Sequence, residues 1–307
     1  MSKDMLIVVG AGAISGFASL AFLLEMPGAL LVVYFAPLPL LLVGLDQGIK
    51  AVSIAGVSGI VTSTVAGTML SGGLFTIIHA LPAWIIVRQA LLKHSAPGSQ
   101  NKEWYPAGSI LCILSVFVAS MLMVAIVSSQ GEVGGLQGLI RYYLDQVFTY
   151  MVPLDEVVRG DLVQLMVPLF PGYMGTSLVL MVVFNASIAL AILTRFNRTE
   201  RPKSKLANLM LPDWISWFIV ISASVALLSQ EELEFFSQNL TLILAVPFFF
   251  LGLAVFHKLA CHAAFPRILL TAIYVALILS GWIALVVIIT GIIEQWFGLR
   301  RYFRNPG

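Results

Sequence analysis

The chain has 307 residues, 59% of them hydrophobic and 10% charged, with a net charge of +2 and a mean hydropathy of +0.97. Soluble domains carry about 25% charged and about 45–50% apolar residues, so a water-soluble globule is excluded and lipid is the solvent for much of the surface. The basic residues lie in separated loops, a pattern of membrane topology and not of a nucleic-acid surface.

Met5–Leu24 is the first apolar run long enough to cross a bilayer. It has no convincing small-residue cleavage site before Glu25 and more spans follow, so it reads as a transmembrane helix and not a signal peptide. Its Gly10-Ala-Gly12-Ala-Ile-Ser-Gly16 matches a dinucleotide loop only loosely. The third glycine is one place late and no βαβ pattern surrounds it, so Gly12 and Gly16 are read as helix-packing residues.

Further runs follow at Leu30–Gly44, Ala51–Leu70, Leu74–Leu92, Ala107–Val127, Val167–Leu193, Trp214–Leu228, Leu240–Phe256 and Ile268–Ile293. The second is interrupted by Pro37 and Pro39 and is expected to break near Ala36. A polar knuckle of Asp46, Gln47 and Lys50 follows and reads as a solvated turn. In the third run Ala51, Ala55, Gly59, Ser63 and Gly67 recur every fourth residue, with Ser58, Thr62 and Ala66 as a second row. On a helix this is a face almost without bulk, suited to close backbone approach in lipid. The bundle is expected to be built around it.

Loop charges alternate. Arg88–Pro106, Arg195–Asp213 and the Lys258–Arg267 stretch are basic; 127–165 and Glu231–Glu234 are acidic. The positive-inside rule then places the basic loops and the N-terminus in the cytoplasm. The end breaks the pattern: one more crossing puts Arg300, Arg301 and Arg304 outside. Trp282, beside Gly281, also sits near the middle of a run although tryptophan favours the interface. The expectation is nine spans, with eight or ten left open by how this run bends at Ser280–Gly281.

The long acidic loop carries an i, i+3, i+4, i+7 stripe of Leu136, Leu139, Ile140, Tyr143, Leu144, Val147 and Phe148. A second stretch, Leu154–Met166, has Val157, Val158, Leu162, Leu165 and Met166. These are two amphipathic helices that lie at the outer interface or cover the bundle mouth.

No Asp, Glu, Lys or Arg falls in the middle of a span, which argues against a carboxylate relay. The intramembrane polar residues singled out are His79, ahead of Pro82, and Asn185. Each either bonds a neighbouring helix or contacts a ligand. His257, Cys261 and His262 stand at i, i+4, i+5 but lack the third or fourth ligand of a zinc site, so no metal is expected. Cys112 reads as a packing residue and Cys261 as a cytosolic thiol. G-x-S-x-G and H-E-x-x-H motifs are absent, no cofactor is implied, and an enzyme is not expected.

Two segments carry a family resemblance: Ala36–Val52, with Gly44 and Gly48 in its knuckle, and Gly252–Ala260 followed by Ile288–Phe303, in which Glu294 precedes an aromatic and basic residues. In these the chain resembles the YybS-like family of uncharacterised bacterial membrane proteins, a likeness that names no chemistry. The first six spans are also similar to the substrate-binding membrane subunits of energy-coupling-factor vitamin transporters. That likeness implies six helices, outer loops that close over a vitamin, and docking through small-residue faces; the three further spans depart from it.

The expectation is therefore an all-α polytopic bundle in a bacterial inner membrane, residues 1–307 forming one membrane domain. Residues 1–194 make a six-span core with an insertion at 130–166, and 195–307 add the remaining spans. Its leading role is transporter-like binding of a small uncharged solute through His79 and Asn185. The alternative is a non-transporting scaffold that binds a membrane protein partner through the small-residue face of the third span.

Overall fold

The computed structural model describes residues 2–24, 28–95, 102–151, 155–199, 201 and 205–302. Leu154, Glu200 and Arg304 of the stretches above lie outside them. The helices are α1 (Lys3–Ser19), α2 (Ala29–Tyr34), α3 (Pro37–Gln47), α4 (Ile49–Ala66), α5 (Met69–Phe75), α6 (Leu81–Ala90) and α7 (Ala107–Ser128). Then come α8 (Gly135–Met151), α9 (Glu156–Met166), α10 (Phe170–Arg195), α11 (Trp214–Leu228), α12 (Glu231–Ala260), α13 (Pro266–Leu279) and α14 (Gly281–Phe297). Among the described residues seven helical segments are long and apolar enough to cross a membrane, and α11, α13 and α14 are shorter apolar helices. The fold is an all-α polytopic bundle. Among the described residues Lys93–Ser95 also pairs antiparallel with Lys102–Trp104.

The chain forms two compact units, Met1–Leu114 with Leu180–Lys205, and Ser115–Val179 with Leu206–Gly307. In the first unit α4 packs on α1, α3, α5 and α6. Its small-residue rows face neighbouring helices at backbone distance. A methyl group on Gly12 would overlap the carbonyl of Ala55, and one on Gly16 would come within 2.7 Å of the carbonyl of Gly59. Ser58 Oγ donates to the carbonyl of Val9 at 2.8 Å. The ring of Phe75 occupies the space that a side chain on Gly59 would need. Ala51, Ala55 and Ser63 are buried, while Gly67 ends the helix as its C-cap. The ladder is therefore consumed inside its own unit.

Between α3 and α4 the chain reverses at one residue. Gly48 has φ 94° and ψ −174°, a conformation essentially confined to glycine. Asp46, expected in a solvated turn, is drawn into an ion pair with Arg198, Nε to Oδ1 at 3.1 Å.

The second unit has its own centre, so the expectation of one bundle around Ala51–Gly67 holds only for the first. Of the apolar window of α12, 61% is buried, against 33% for α4. Gly252 on α12 lies against the carbonyl of Val287 on α14, and Gly291 on α14 against the carbonyl of Phe248 on α12, each too close for a methyl group. The reciprocal pair draws two backbones together, where dispersion and weak Cα–H···O contacts are strongest. Beyond it, Gly298 stops α14 in the left-handed region. Glu294 then accepts from Arg300 Nε at 2.7 Å and from the Arg300 backbone N–H at 2.9 Å, and Arg300 donates to the carbonyl of Ala207. The C-terminal residues that carry the family resemblance thus hold this unit together.

The ninth apolar run is two helices, α13 and α14, parted at Ser280 with φ −145° and ψ 115°. The amphipathic helix α8 forms and buries part of the face the stripe implies, through Ile140, Leu144 and Phe148, whereas α9 buries Val163, which lies off its stripe. Leu144 packs with Val163 and Val167, flanked by Ile140, Phe148 and Phe170. Tyr143, Val147, Val157 and Leu165 are exposed. Arg159 Nε meets Asp145 at 2.8 Å across the pair.

Gly291→Ala should lower stability by about 1–3 kcal/mol, because the added carbon must displace backbone. Gly281→Ala, with nothing within 4 Å, should stay within about 0.5 kcal/mol of wild type. Unfolding in mixed detergent micelles measures both.

Candidate functional site

His79 and Asn185 each sit where proline interrupts a backbone ladder. Pro82 has no N–H, and its ring clashes with the carbonyl four residues back. The chain accommodates it with one turn of π-helix, Thr76–Ala80, between α5 and α6, in which the N–H of Leu81 reaches back to the carbonyl of Thr76. Such π-turns gather at functional sites. The turn carries His79, which is 3% exposed. Its ring lies 5.7 Å from that of Phe75 at 49°. Its Nδ1 has no hydrogen-bond partner among the described residues. An unpartnered polar atom away from water costs about 1–3 kcal/mol, so this imidazole is set in its place at a loss of stability.

Asn185, on α10, serves a second break. Pro37 and Pro39 part α2 from α3 at Phe35–Ala36, as expected, and Leu38 N–H bonds Phe35 in place of Tyr34. Asn185 Nδ2 donates to the freed carbonyl of Tyr34 at 2.8 Å and to that of Met181 at 2.8 Å. Ser15 Oγ bonds the carbonyl of Ala36 in the same break. Both amide hydrogens of Asn185 are committed to backbone, and only its Oδ1 is unpartnered among the described residues. His79 and Asn185 belong to the same unit, but no hydrogen bond described here joins them.

A third residue of this kind, Asn239, was not singled out from the sequence. It lies on α12, one residue before the apolar run taken to begin at Leu240. Its carboxamide is inserted into the ladder at the start of α10, between Pro168 and Pro171. Oδ1 accepts from Gly172 N–H at 2.6 Å, and Nδ2 donates to the carbonyls of Pro168 at 2.8 Å and Phe235 at 2.7 Å. The signal available was a Pro-x-x-Pro at the head of one span and an asparagine at the head of another.

The side chains of His257, Cys261 and His262 bond nearby carbonyls of α12, and His257 Nε2 also lies 3.4 Å from the Tyr274 hydroxyl of α13. His257 Nδ1 lies 2.9 Å from the carbonyl of Leu253, Cys261 Sγ 3.3 Å from that of His257, and His262 Nδ1 3.0 Å from that of Lys258. No group of three or more His, Cys, Asp or Glu fit for a metal occurs among the described residues.

Seven apolar membrane-length segments, glycine-mediated crossings and polar side chains reserved for broken backbone define a polytopic α-helical integral membrane protein. The chain belongs to the DUF2232 family, described as predicted membrane proteins, whose model matches residues 13–294. This agrees with the likeness to YybS-like membrane proteins. No curated protein and no solved structure matches the chain.

Asn239→Leu should cost about 1–3 kcal/mol, since it leaves the Gly172 N–H and a carbonyl without partners in an apolar setting. Asn185→Leu, which strands only the Tyr34 carbonyl between helices, should cost about 1 kcal/mol. Reversible unfolding in mixed micelles ranks the two.

Proposed function

We propose that this chain is a transport-type protein of the bacterial inner membrane that binds a small, uncharged or weakly charged solute, with His79 as its polar contact. The observation that carries the reading is the buried, unpartnered Nδ1 of His79 on a π-turn in a membrane-length helix. A polar group without a partner in such surroundings is expensive unless something binds it. A solute hydroxyl or amide would supply that partner without bringing a net charge into the membrane.

Asn185 is a positioning residue in this reading. Its hydrogens hold the α2–α3 break closed, which keeps α3 in place against α4 and the π-turn beside it. The scaffold reading has less to rest on: the small-residue face it needs is already filled by α1 and Phe75.

The test is thermal unfolding of the protein in lipid nanodiscs, with and without a panel of neutral sugars, nucleosides, amides and weakly charged vitamins. At least one compound, at about 100 times its dissociation constant, should stabilise the wild type by about 2.7 kcal/mol. His79→Leu should abolish that gain. Without solute, His79→Leu should be as stable as the wild type or more so, by about 1–3 kcal/mol, because it removes a buried unsatisfied group. A clear loss of stability in that variant, together with no response to any solute, would make His79 a packing residue and sink the proposal.

A further inference from the structure

A cleft of about 290 Å³ opens on the first unit where α3 turns into α4. Its volume is near the lower end of the range for small-molecule sites. Asp46, Gly48, Trp104, Arg198 and Arg201 line it, with Leu45 and Leu91 as its apolar part. Each charged group is placed by a specific local device.

Asn197 ends α10 in the left-handed region at φ 53°, and the N–H of Arg198 turns back to the carbonyl of Leu193 at 2.8 Å, the Schellman stop of a helix. That stop projects Arg198 toward Asp46. Asp46 stands in the last turn of α3, where the helix dipole disfavours a negative charge, and its pairing with Arg198 offsets the mismatch. Arg198 meets Asp46 through Nε, and its side chain is 62% exposed.

Arg201 is 7% exposed. Its two terminal nitrogens donate to the carbonyls of Ala90, at the end of α6, and of Tyr105. No carboxylate partners it among the described residues. Burial pushes its pKa below the ordinary arginine value, as befits a cation held by neutral oxygens alone. The formal charge of the lining is therefore positive. Gly48 also begins α4, whose N-terminus has no side-chain cap and so leaves free backbone N–H groups at the cleft, while its dipole is opposed there by the C-terminal end of α3.

We infer that this cleft binds a phosphate-bearing anion, taken from the headgroup of an anionic lipid or from a free phosphate ester. The guanidinium fork matches phosphate oxygens. The buried cation supplies fixed positive charge, and the uncapped first turn of α4 supplies backbone N–H donors. The indole of Trp104, with Lys93 Nζ 4.3 Å from its ring centre, gives the cleft an amphipathic wall suited to a lipid–water boundary. The site is independent of His79.

The full-length protein tests this in two arms. In micelles with equimolar phosphatidylglycerol and phosphatidylcholine, native mass spectrometry should show phosphatidylglycerol retained about tenfold over phosphatidylcholine. In phosphatidylcholine nanodiscs, calorimetric titration with glycerol 3-phosphate reports a free phosphate ester. Saturation there identifies a soluble ligand; lipid retention without it identifies a headgroup; either supports the site. Arg198→Gln, at an exposed position, should weaken the binding seen about tenfold. Asp46→Asn should strengthen it roughly threefold by removing a competing anion. Arg267→Gln, an exposed cation of the second unit, should change nothing. No lipid preference together with no saturation overturns the proposal, as does an equal loss from Arg198→Gln and Arg267→Gln.

Discussion

Inside a bilayer no water completes a broken hydrogen-bond ladder, so every interruption of a helix has to be answered by protein. The buried asparagines of this chain's apolar helices, and Ser15, give such an answer. The Pro37–Pro39 break is closed by Asn185 and Ser15. The Pro168–Pro171 break is closed by Asn239, whose one amide both donates and accepts within a single turn. At Pro82 the backbone itself adjusts by adding a residue to the turn. His79 stands apart because it sits at such a place and answers nothing, and this difference separates a structural polar residue from a candidate for function.

Close backbone approach is the second constraint. Lipid tails are as apolar as leucine, so burial of bulk offers little drive for helices to associate, and contact between backbones takes its place. Each unit has one such crossing at its centre, Gly12 and Gly16 against α4 in the first and Gly252 with Gly291 in the second. Around these crossings large apolar side chains such as Val57, Val65, Phe17 and Ile278 remain exposed. In water that would be a liability; here it is the surface presented to lipid.

In the apolar helices charged residues are kept to the ends, and there they form specific pairs. Arg198 with Asp46, Arg300 with Glu294, and Arg201 with the carbonyls of Ala90 and Tyr105 bind loops to helix ends. Read from the sequence, the arginines in 195–213 and at the C-terminus were topogenic charges and nothing more. Their pairing depends on which helix ends meet, and that is not written in local composition. Asn239 was missed for a related reason: an apolar-run boundary drawn by hydropathy discards the polar residue at its edge, although that residue serves another helix.

By itself the sequence determined that the protein is a membrane-embedded α-helical bundle, where most of its apolar helices run, and that α2 parts from α3; the bend at Ser280–Gly281 it left open, and the structure parts α13 from α14 there. Hydropathy, proline and glycine act locally, so their consequences are legible in one dimension. It also marked Gly12, Gly16 and the Ala51–Ser63 ladder as packing residues, since small residues at a four-residue period can hardly do otherwise in lipid. Only the tertiary structure decided that the ladder is filled by α1 and Phe75, that a second glycine crossing centres on α12, that Asn185 and Asn239 are committed to broken backbone while His79 Nδ1 has no partner among the described residues, and that Asp46 and two arginines share a cleft. Each of these depends on which surfaces of distant segments come into contact, and that follows from packing complementarity across the chain, which no local pattern encodes.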